Sequence, residues 1–364
     1  MKKMDEIILS ICVISCNQRD LLKRCMTTVL QQDLPFPYEI IISDDHSTDG
    51  TWELIEDYGR KYPDIVKGYH VENEYLHPIC TSERCACNKL NAYLHAKGKY
   101  VVNVDADDYL IGTDLYKEQV ALLEQHPECS LCQHRPFHHR EGEDLKNSLS
   151  YFEDIPTGSV YDAVYLINHP NLLDFNPGFM MRRITDVDIE KKMGKNFDDR
   201  EITYFHLLYG DCVWINKHGY VYVMYNSSSI CSHNTMTHEE KNLLDAALLF
   251  NKIQIIPEWA GTIMSETGIR MLSNVFKYRN KPICLPDNGK RCFKEYEGFF
   301  YDFYNKKERT ICEHIRAFLM LLLYWPIRKF KIKGGARFNK TLYAIATNRH
   351  AANKIPLEYW AVRK

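Results

Sequence analysis

The chain has 364 residues, enough to bury one large core with an extension, or two smaller cores. With 45% hydrophobic and 26% charged residues it has a globular composition, and a formal net charge of −2 argues against a whole-protein role on nucleic acid. Thirteen cysteines, an odd number scattered through apolar runs and loops, do not form the short, evenly paired framework of a secreted disulfide scaffold.

Lys2 and Lys3 are followed at once by Asp5 and Glu6, and the apolar run from Ile7 to Cys16 is interrupted by Ser10 and Ser15. It reads as a first strand rather than a signal peptide. Leu22, Cys25, Met26, Val29 and Leu30 give residues 21–32 helical spacing, and Glu39 to Ser43 reads as a second buried strand. A second helix is expected from Asp49 to Tyr62, a weaker strand from Val66 to Val71, a third helix from Cys87 to Ala96 and a fourth strand from Tyr100 to Val104. Strands alternating with helices imply an α/β fold with a mostly parallel sheet, in which ligands bind beyond the carboxyl ends of the strands. Asn17, Asp44-Asp45 and Asp105 to Asp108 fall at those ends.

Beyond residue 111 the pattern loosens. Ser159 to Ile167 reads as helix, Asn176-Pro177-Gly178 as a turn, Phe179 to Met181 as a short strand, Ile202 to Leu208 as helix and Val213 to Met224 as strand. Residues 239–280 read as helices. No stretch reaches the roughly 18 apolar residues that a spanning helix needs, so the catalytic part is expected to be cytoplasmic.

The sharpest local feature is Val104-Asp105-Ala106-Asp107-Asp108-Tyr109. Carboxylates this close repel one another unless a cation neutralises them, and hard oxygen ligands suit Mg²⁺ or Mn²⁺. Such a cation can bridge two phosphates and stabilise a departing nucleotide; the plainer alternative is a solvated acidic turn or helix cap. In Ser43-Asp44-Asp45-His46-Ser47-Thr48-Asp49-Gly50-Thr51, capping of the next helix explains Thr48, Asp49 and Gly50. Asp44 and Asp45 remain, placed where a nucleoside could dock. Cys80, Cys85 and Cys87 lie close together but lack paired C-x-x-C spacing, so reduced buried thiols are expected there rather than zinc.

Ile11 to Asn17, Ser43 to Thr51, Ala96-Lys97-Gly98-Lys99-Tyr100 and Asp105-Ala106-Asp107-Asp108, in this order and spacing, resemble family 2 glycosyltransferases with the GT-A fold. The likeness is strong over residues 7–112, fair to about 235 and absent beyond. It implies an inverting transferase using a nucleotide sugar, with a UDP-sugar favoured. Ser15 and Asn17 would line the donor pocket, and Asp44 and Asp45 would contact the nucleobase or ribose. Asp105 would approach the ribose or the metal, and Asp107 would be the main ligand of Mn²⁺ or Mg²⁺. The family's Arg-Asn pair is replaced by Arg84 and Asn88, four positions apart, with Arg84 the expected diphosphate contact. Counting back from Leu207-Leu208-Tyr209-Gly210 places the family's Glu-Asp pair at Asp198-Asp199, with Asp199 as the general base, Glu201 and Asp211 as rivals, and helix capping as the structural alternative. His233, before Asn234, resembles a late histidine that reaches the diphosphate or metal.

The resulting division is a GT-A catalytic domain over 1–235, a Rossmann-like sheet flanked by helices, and a helical, basic C-terminal extension over 236–364. Ala317 to Trp325 is a nine-residue apolar run, and 326–364 carries ten Lys or Arg against one acid, Glu358. This pattern suits either a core helix with a solvated tail or the surface of an anionic membrane, which would place the chain on the inner face of the cell membrane. The expected acceptor is a hydroxyl of a glycan or lipid-linked molecule in surface polysaccharide or glycolipid synthesis. A nucleotidyltransferase would need a Gly-rich loop where Ser15-Cys16-Asn17-Gln18-Arg19 stands, a phosphatase would need D-x-D-x-T, and a degenerate, non-catalytic sugar-nucleotide binder would not need an intact acidic motif.

Overall fold

Seven consecutive buried residues make β1 (Leu9–Ser15), as expected of an apolar strand covered on both faces. α1 (Arg19–Val29) buries Leu22, Cys25, Met26 and Val29, the i, i+3, i+4, i+7 stripe that its spacing dictates. β2 (Tyr38–Asp44), α2 (Thr51–Lys61), β3 (Val66–His70), α3 (Thr81–His95) and β4 (Tyr100–Asp105) complete the alternating half. This computed structural model describes residues 6–71, 81–148, 155–169, 172, 177–194, 197–224, 249–250, 252–268, 272, 315, 318–319, 322, 334–347 and 352–363.

The chain divides into two compact units. The first takes in 1–166 and 170–233, and the second 167–169 and 234–364. The first unit is built on an eight-stranded sheet of order β3-β2-β1-β4-β9-β6-β10-β8, where β6 is Cys129–Gln133, β8 Val160–Tyr161, β9 Met180–Arg182 and β10 Asp211–Trp214. β1 runs parallel to both β2 and β4, with Ser15 opposite Asp44 and Ile14 opposite Asp105. The polar residues after these strands therefore gather at one edge. β9 enters antiparallel to β4 and β6.

A three-stranded sheet, β5 (Tyr109–Leu110), β11 (Tyr220–Met224) and β7 (Phe137–Arg140), lies beyond the acidic motif. The stretch read from sequence as one strand, Val213 to Met224, is thus two strands in different sheets. Ser159 to Ile167, read as a helix, is β8 followed by α5 (Ala163–Asn168). α4 (Leu115–Gln125), β6 and β7 had no counterpart in the sequence reading, and α6 (Ile189–Met193) precedes α7 (Asp199–His206). No disulfide joins the described cysteines; Cys85 is half-buried and Cys87 buried, and Cys80 lies outside the described residues.

The second unit buries Phe250, Trp259, Leu342, Tyr343 and Trp360 around α8 (Ala260–Ile263) and α9 (Ala336–Ala346). The Tyr343 and Trp360 rings lie 4.9 Å apart, and Asn339 Nδ2 donates to the Trp360 carbonyl at 2.9 Å. A Cβ at Gly261 would meet the Ala361 carbonyl oxygen at 2.1 Å, so the C-terminal backbone packs directly on α8. Residues 334–347 and 352–363 are therefore part of a core rather than a free basic tail. Ile315, Phe318, Leu319 and Leu322 are helical and solvent-exposed. No helix among the described residues is long and apolar enough to cross a membrane.

Candidate active site

Two loops at the carboxyl ends of β1 and β2 are clipped together. Asn17 adopts a left-handed backbone, φ 52°; its N–H donates to Ser47 Oγ at 2.7 Å and its Oδ1 accepts from the Thr48 N–H at 2.8 Å. Ser15 Oγ donates to Asp44 Oδ1 at 3.1 Å, and Asp44 also accepts from Ser47 N–H and Oγ at 2.9 and 2.5 Å. Ser15 and Asp44 are fully buried, so both are consumed in holding the loop. Asp49 accepts from the Arg19 N–H, the Thr51 N–H and the Thr51 hydroxyl, tying the starts of α1 and α2 together.

Asp45, its side chain 14% exposed, is the acid of this loop that meets an arginine. Arg84, from α3, places Nε at 2.7 Å and Nη2 at 2.6 Å from Asp45 Oδ2. The arginine thus stands beside Asp45, and the Asn88 amide donates to the Ser15 carbonyl at 2.9 Å. Beside the pair, the His46 ring stacks on His70 at 4.9 Å and His70 on Trp52 at 3.6 Å, with His46 held at φ 49°.

The three acids of the Asp-rich motif separate in role. Asp108 is fully buried and accepts from the Tyr220 hydroxyl at 2.7 Å and the Val223 N–H at 2.8 Å, locking β11 to the turn after β4. Asp105 and Asp107 keep part of their surface at the open edge. Arg24 donates to the Asp107 backbone carbonyl and its guanidinium lies 5.0 Å from the Tyr109 ring centroid. Burial raises the pKa of the Asp105 carboxyl above its ordinary value, Lys89 opposes the rise, and the charges of Asp107 and Asp198 add to it.

Behind Asp105 lies a narrow cleft lined by Lys89, Asn103, Asp105, Gly178, Asp199 and Tyr220 among others. Gly178 must be glycine, because at φ 72° a Cβ would sit 2.4 Å from the Tyr220 ring. Asp198 is the N-cap of α7, its Oδ1 accepting from the Asp199 N–H at 2.9 Å. Asp199 is the first residue of the helix and turns its carboxylate into the cleft. The Lys89 ammonium, on a side chain only 5% exposed, lies 2.9 Å from Asp198 Oδ1 and 2.5 Å from Asp199 Oδ1. Burial opposes the lysine's charge, but the three surrounding carboxylates outweigh it and lift its pKa well above the usual lysine value.

Burial raises the Asp199 carboxyl to about 6; Lys89 opposes this rise, and the charges of Asp198 and Asp105 reinforce it. The side chain still keeps 65% of its surface open, so water reaches it and moderates the effect. Of the rival acids, Asp211 opens β10 at the opposite edge of the sheet and accepts from the Ala163 N–H at 3.0 Å, while Glu201 lies in the first turn of α7. His233 lies outside the described residues.

Sequence reasoning missed Lys89 and Asn103. Each had a signal: a lysine between buried helix positions, and an amide inside the apolar strand Tyr100-Val101-Val102-Asn103-Val104. Asp105 and Asp107 offer the hard oxygen donors that Mg²⁺ or Mn²⁺ prefers, and the Asp107 charge, which adds to the rise that burial causes in the Asp105 pKa, is a repulsion a cation would relieve. Among the described residues the one set of three His, Cys, Asp or Glu with ligand atoms within 4.8 Å of one another is His126, Glu128 and Cys129. The acidic motif fits a cation held by two carboxylates and completed by phosphate oxygens.

Residues 10–188 match the sequence model of Glycosyl transferase family 2. An uncharacterized protein of Mycobacterium tuberculosis is 31% identical over 128 residues, 35% of this chain and 34% of that protein. The poly(ribitol-phosphate) beta-glucosyltransferase of Bacillus spizizenii is 31% identical over 103 residues, 28% of this chain and 15% of that enzyme. These matches span about a third or less of the relatives' length. Residues 1–349 of S. aureus TarS, solved in complex with UDP-GlcNAc, share the fold with a TM-score of 0.51 at 16% identity, covering 97% of this chain and 90% of that one. The architecture is that of a GT-A fold. Asp199 and His233 both lie beyond the matched family segment.

Proposed function

Through residues 10–188 the chain belongs to glycosyl transferase family 2, and from that premise we propose that it is an inverting glycosyltransferase moving a sugar from a nucleoside-diphosphate donor, UDP favoured, to a hydroxyl acceptor in surface polysaccharide or glycolipid synthesis. The observation that carries the reading is the cleft in which Asp199 and Asp105 face one space with Lys89 between them. The nucleoside docks against Asp45 over the Asn17 and Asp44 loops, and the diphosphate lies toward Arg84, Asp105 and Asp107. Those two carboxylates would hold a Mn²⁺ or Mg²⁺ ion, which when bound neutralises charge building on the leaving diphosphate.

Asp199 accepts the proton of the acceptor hydroxyl as its oxygen attacks the anomeric carbon. The bond from that carbon to the phosphate oxygen breaks on the opposite face, and the electron pair leaves with the nucleoside diphosphate. The Lys89 ammonium fixes the carboxylate's direction and favours its ionised form. Because the base works deprotonated and its pKa stands near 6, activity should rise with pH through that value. Lys89→Met removes the charge that opposes the rise, so the acid limb should move to higher pH and activity lost at pH 7 should return in part at higher pH. Lys89→Arg should keep the wild-type limb. A Lys89→Met variant with an unmoved pH–rate profile would refute this role.

The exposed apolar side chains of Ile315, Phe318, Leu319 and Leu322 and the basic residues Arg328, Lys329, Lys331 and Lys333 that follow in sequence support an anionic membrane surface as a partner. Each basic residue near such a surface contributes about 1 kcal/mol. The intact chain should therefore sediment with phosphatidylserine vesicles at low salt and detach as salt rises; absence of binding at low salt removes this part of the proposal.

A further inference from the structure

β4 ends in a tight turn, Asp105 to Asp108, closed by the Asp108 N–H donating to the Asp105 carbonyl at 2.9 Å. Its entry is fixed to β1, where the Ile14 carbonyl accepts from the Ala106 N–H at 2.9 Å. Asp107 is the third residue of this turn. The peptide joining Asp107 to Asp108 is held at both ends: its N–H closes the turn, and its carbonyl accepts from Arg24 Nη2. A planar peptide held at both ends leaves little freedom to the Asp107 backbone, and so to the direction of its side chain.

Arg24 comes from α1, 83 residues earlier in the chain. That helix turns Leu22, Cys25, Met26 and Val29 inward. Beside this apolar stripe Arg24 and Thr28, four residues apart, share a face, and both meet the segment that carries the acidic turn. Thr28 Oγ1 accepts from the Leu110 N–H at 3.0 Å. The Arg24 guanidinium lies over the Tyr109 ring, and its Nη1 is 3.8 Å from Glu141, just past β7. Its two terminal nitrogens are thus committed to Asp107 and Glu141. On charge alone a guanidinium is a poor neighbour for a cation site, because it repels the ion. Charge and geometry therefore give opposite expectations: loss of the charge should tighten the cation, and loss of an anchor should loosen it.

We infer that Arg24 is a positioning residue for the cation site, its guanidinium fixing the Asp107–Asp108 peptide so that Asp105 and Asp107 can hold one ion. This rests on the cation reading above. Groups that orient the ligands of a metal are typically worth about 10- to 100-fold in its affinity.

The test is calorimetric titration of UDP into the intact chain, Arg24→Met and Arg24→Lys, in a chelator and at a series of Mn²⁺ concentrations. Arg24→Met keeps the apolar stem and should bind UDP in the chelator as the wild type does. It should need at least about tenfold more Mn²⁺ for the same gain in UDP affinity, and should reach the wild-type affinity once Mn²⁺ saturates. Its melting temperature should fall only slightly, because α1 keeps its buried stripe and Thr28 its bond to Leu110. Arg24→Lys restores a charged donor and should show a smaller shift of the same sign; it carries the reading if Arg24→Met does not fold. An unchanged or lower Mn²⁺ requirement would overturn the inference, the lower one by showing that charge outweighs geometry. UDP affinity lost equally in chelator and in Mn²⁺ would overturn it by making Arg24 a phosphate contact. A lower melting temperature with the Mn²⁺ response intact would overturn it by making the contact structural. If Mn²⁺ adds nothing to UDP binding by the wild type, the cation reading itself fails and takes this inference with it.

Discussion

Asp199→Asn should lower turnover by about 10²- to 10⁴-fold, the usual contribution of a general base, with donor affinity nearly unchanged. The substitution keeps the shape of the side chain and the start of α7, whose cap is Asp198 rather than Asp199. It removes the proton acceptor and leaves Lys89 with Asp198 as its remaining partner of the pair. The loss should therefore appear in kcat and persist at every pH, unlike that of Lys89→Met. Steady-state kinetics with a saturating donor, together with donor binding by calorimetry, separate the two quantities. Near-normal turnover would move the base to Glu201 in the same helical turn.

Asp107→Ala should abolish cation-dependent donor binding while the fold persists. The contact that Arg24 makes at this position is to the backbone carbonyl, which alanine retains. Losing one of three clustered charges relieves Asp105 of a repulsion that raises its pKa, so the variant should melt no lower than the wild type. Asp108 behaves differently: its carboxylate holds Tyr220 and the Val223 N–H inside the core, and its loss would orphan two buried donors. Calorimetric titration of UDP with and without Mn²⁺ reads the effect. Wild-type affinity in Asp107→Ala, still dependent on Mn²⁺, would place the cation elsewhere.

The alternating half was legible because its strands are apolar runs covered on both faces and its helices carry a single apolar stripe. Leu9–Ser15 and Tyr38–Asp44 announce themselves by composition, and their parallel register brings Asp44 and Asp105 to one edge. Val213 to Met224 was misread because periodicity carries no record of a change of sheet: both halves are apolar, and only the intervening Asn216-Lys217-His218-Gly219 marks the break. Ser159 to Ile167 was read as helix because a two-residue edge strand is too short to show period two.

At the candidate site, Asp105 and Asp107 were singled out because the chemistry of clustered acids is local, and Asp199 by counting back from Leu207-Leu208-Tyr209-Gly210. The internal uses of Ser15 and Asp44 could not, because they depend on a hydrogen bond between neighbouring strands 29 residues apart in sequence. Lys89 was hidden for the same reason: it is 110 residues from Asp199 in the chain, and only the packing of α3 against α7 makes it part of the site.

The most direct measurement is release of nucleoside diphosphate by the unaltered chain, across a panel of nucleotide sugars, with Mn²⁺ and with a chelator. At least one donor should be turned over slowly without acceptor. That release should stop on chelation, return with Mn²⁺ or Mg²⁺, and fall away in both Asp107→Ala and Asp199→Asn. Release that continues undiminished under chelation, or no release and no binding with any nucleotide sugar, would contradict a cation-assisted transfer from such a donor.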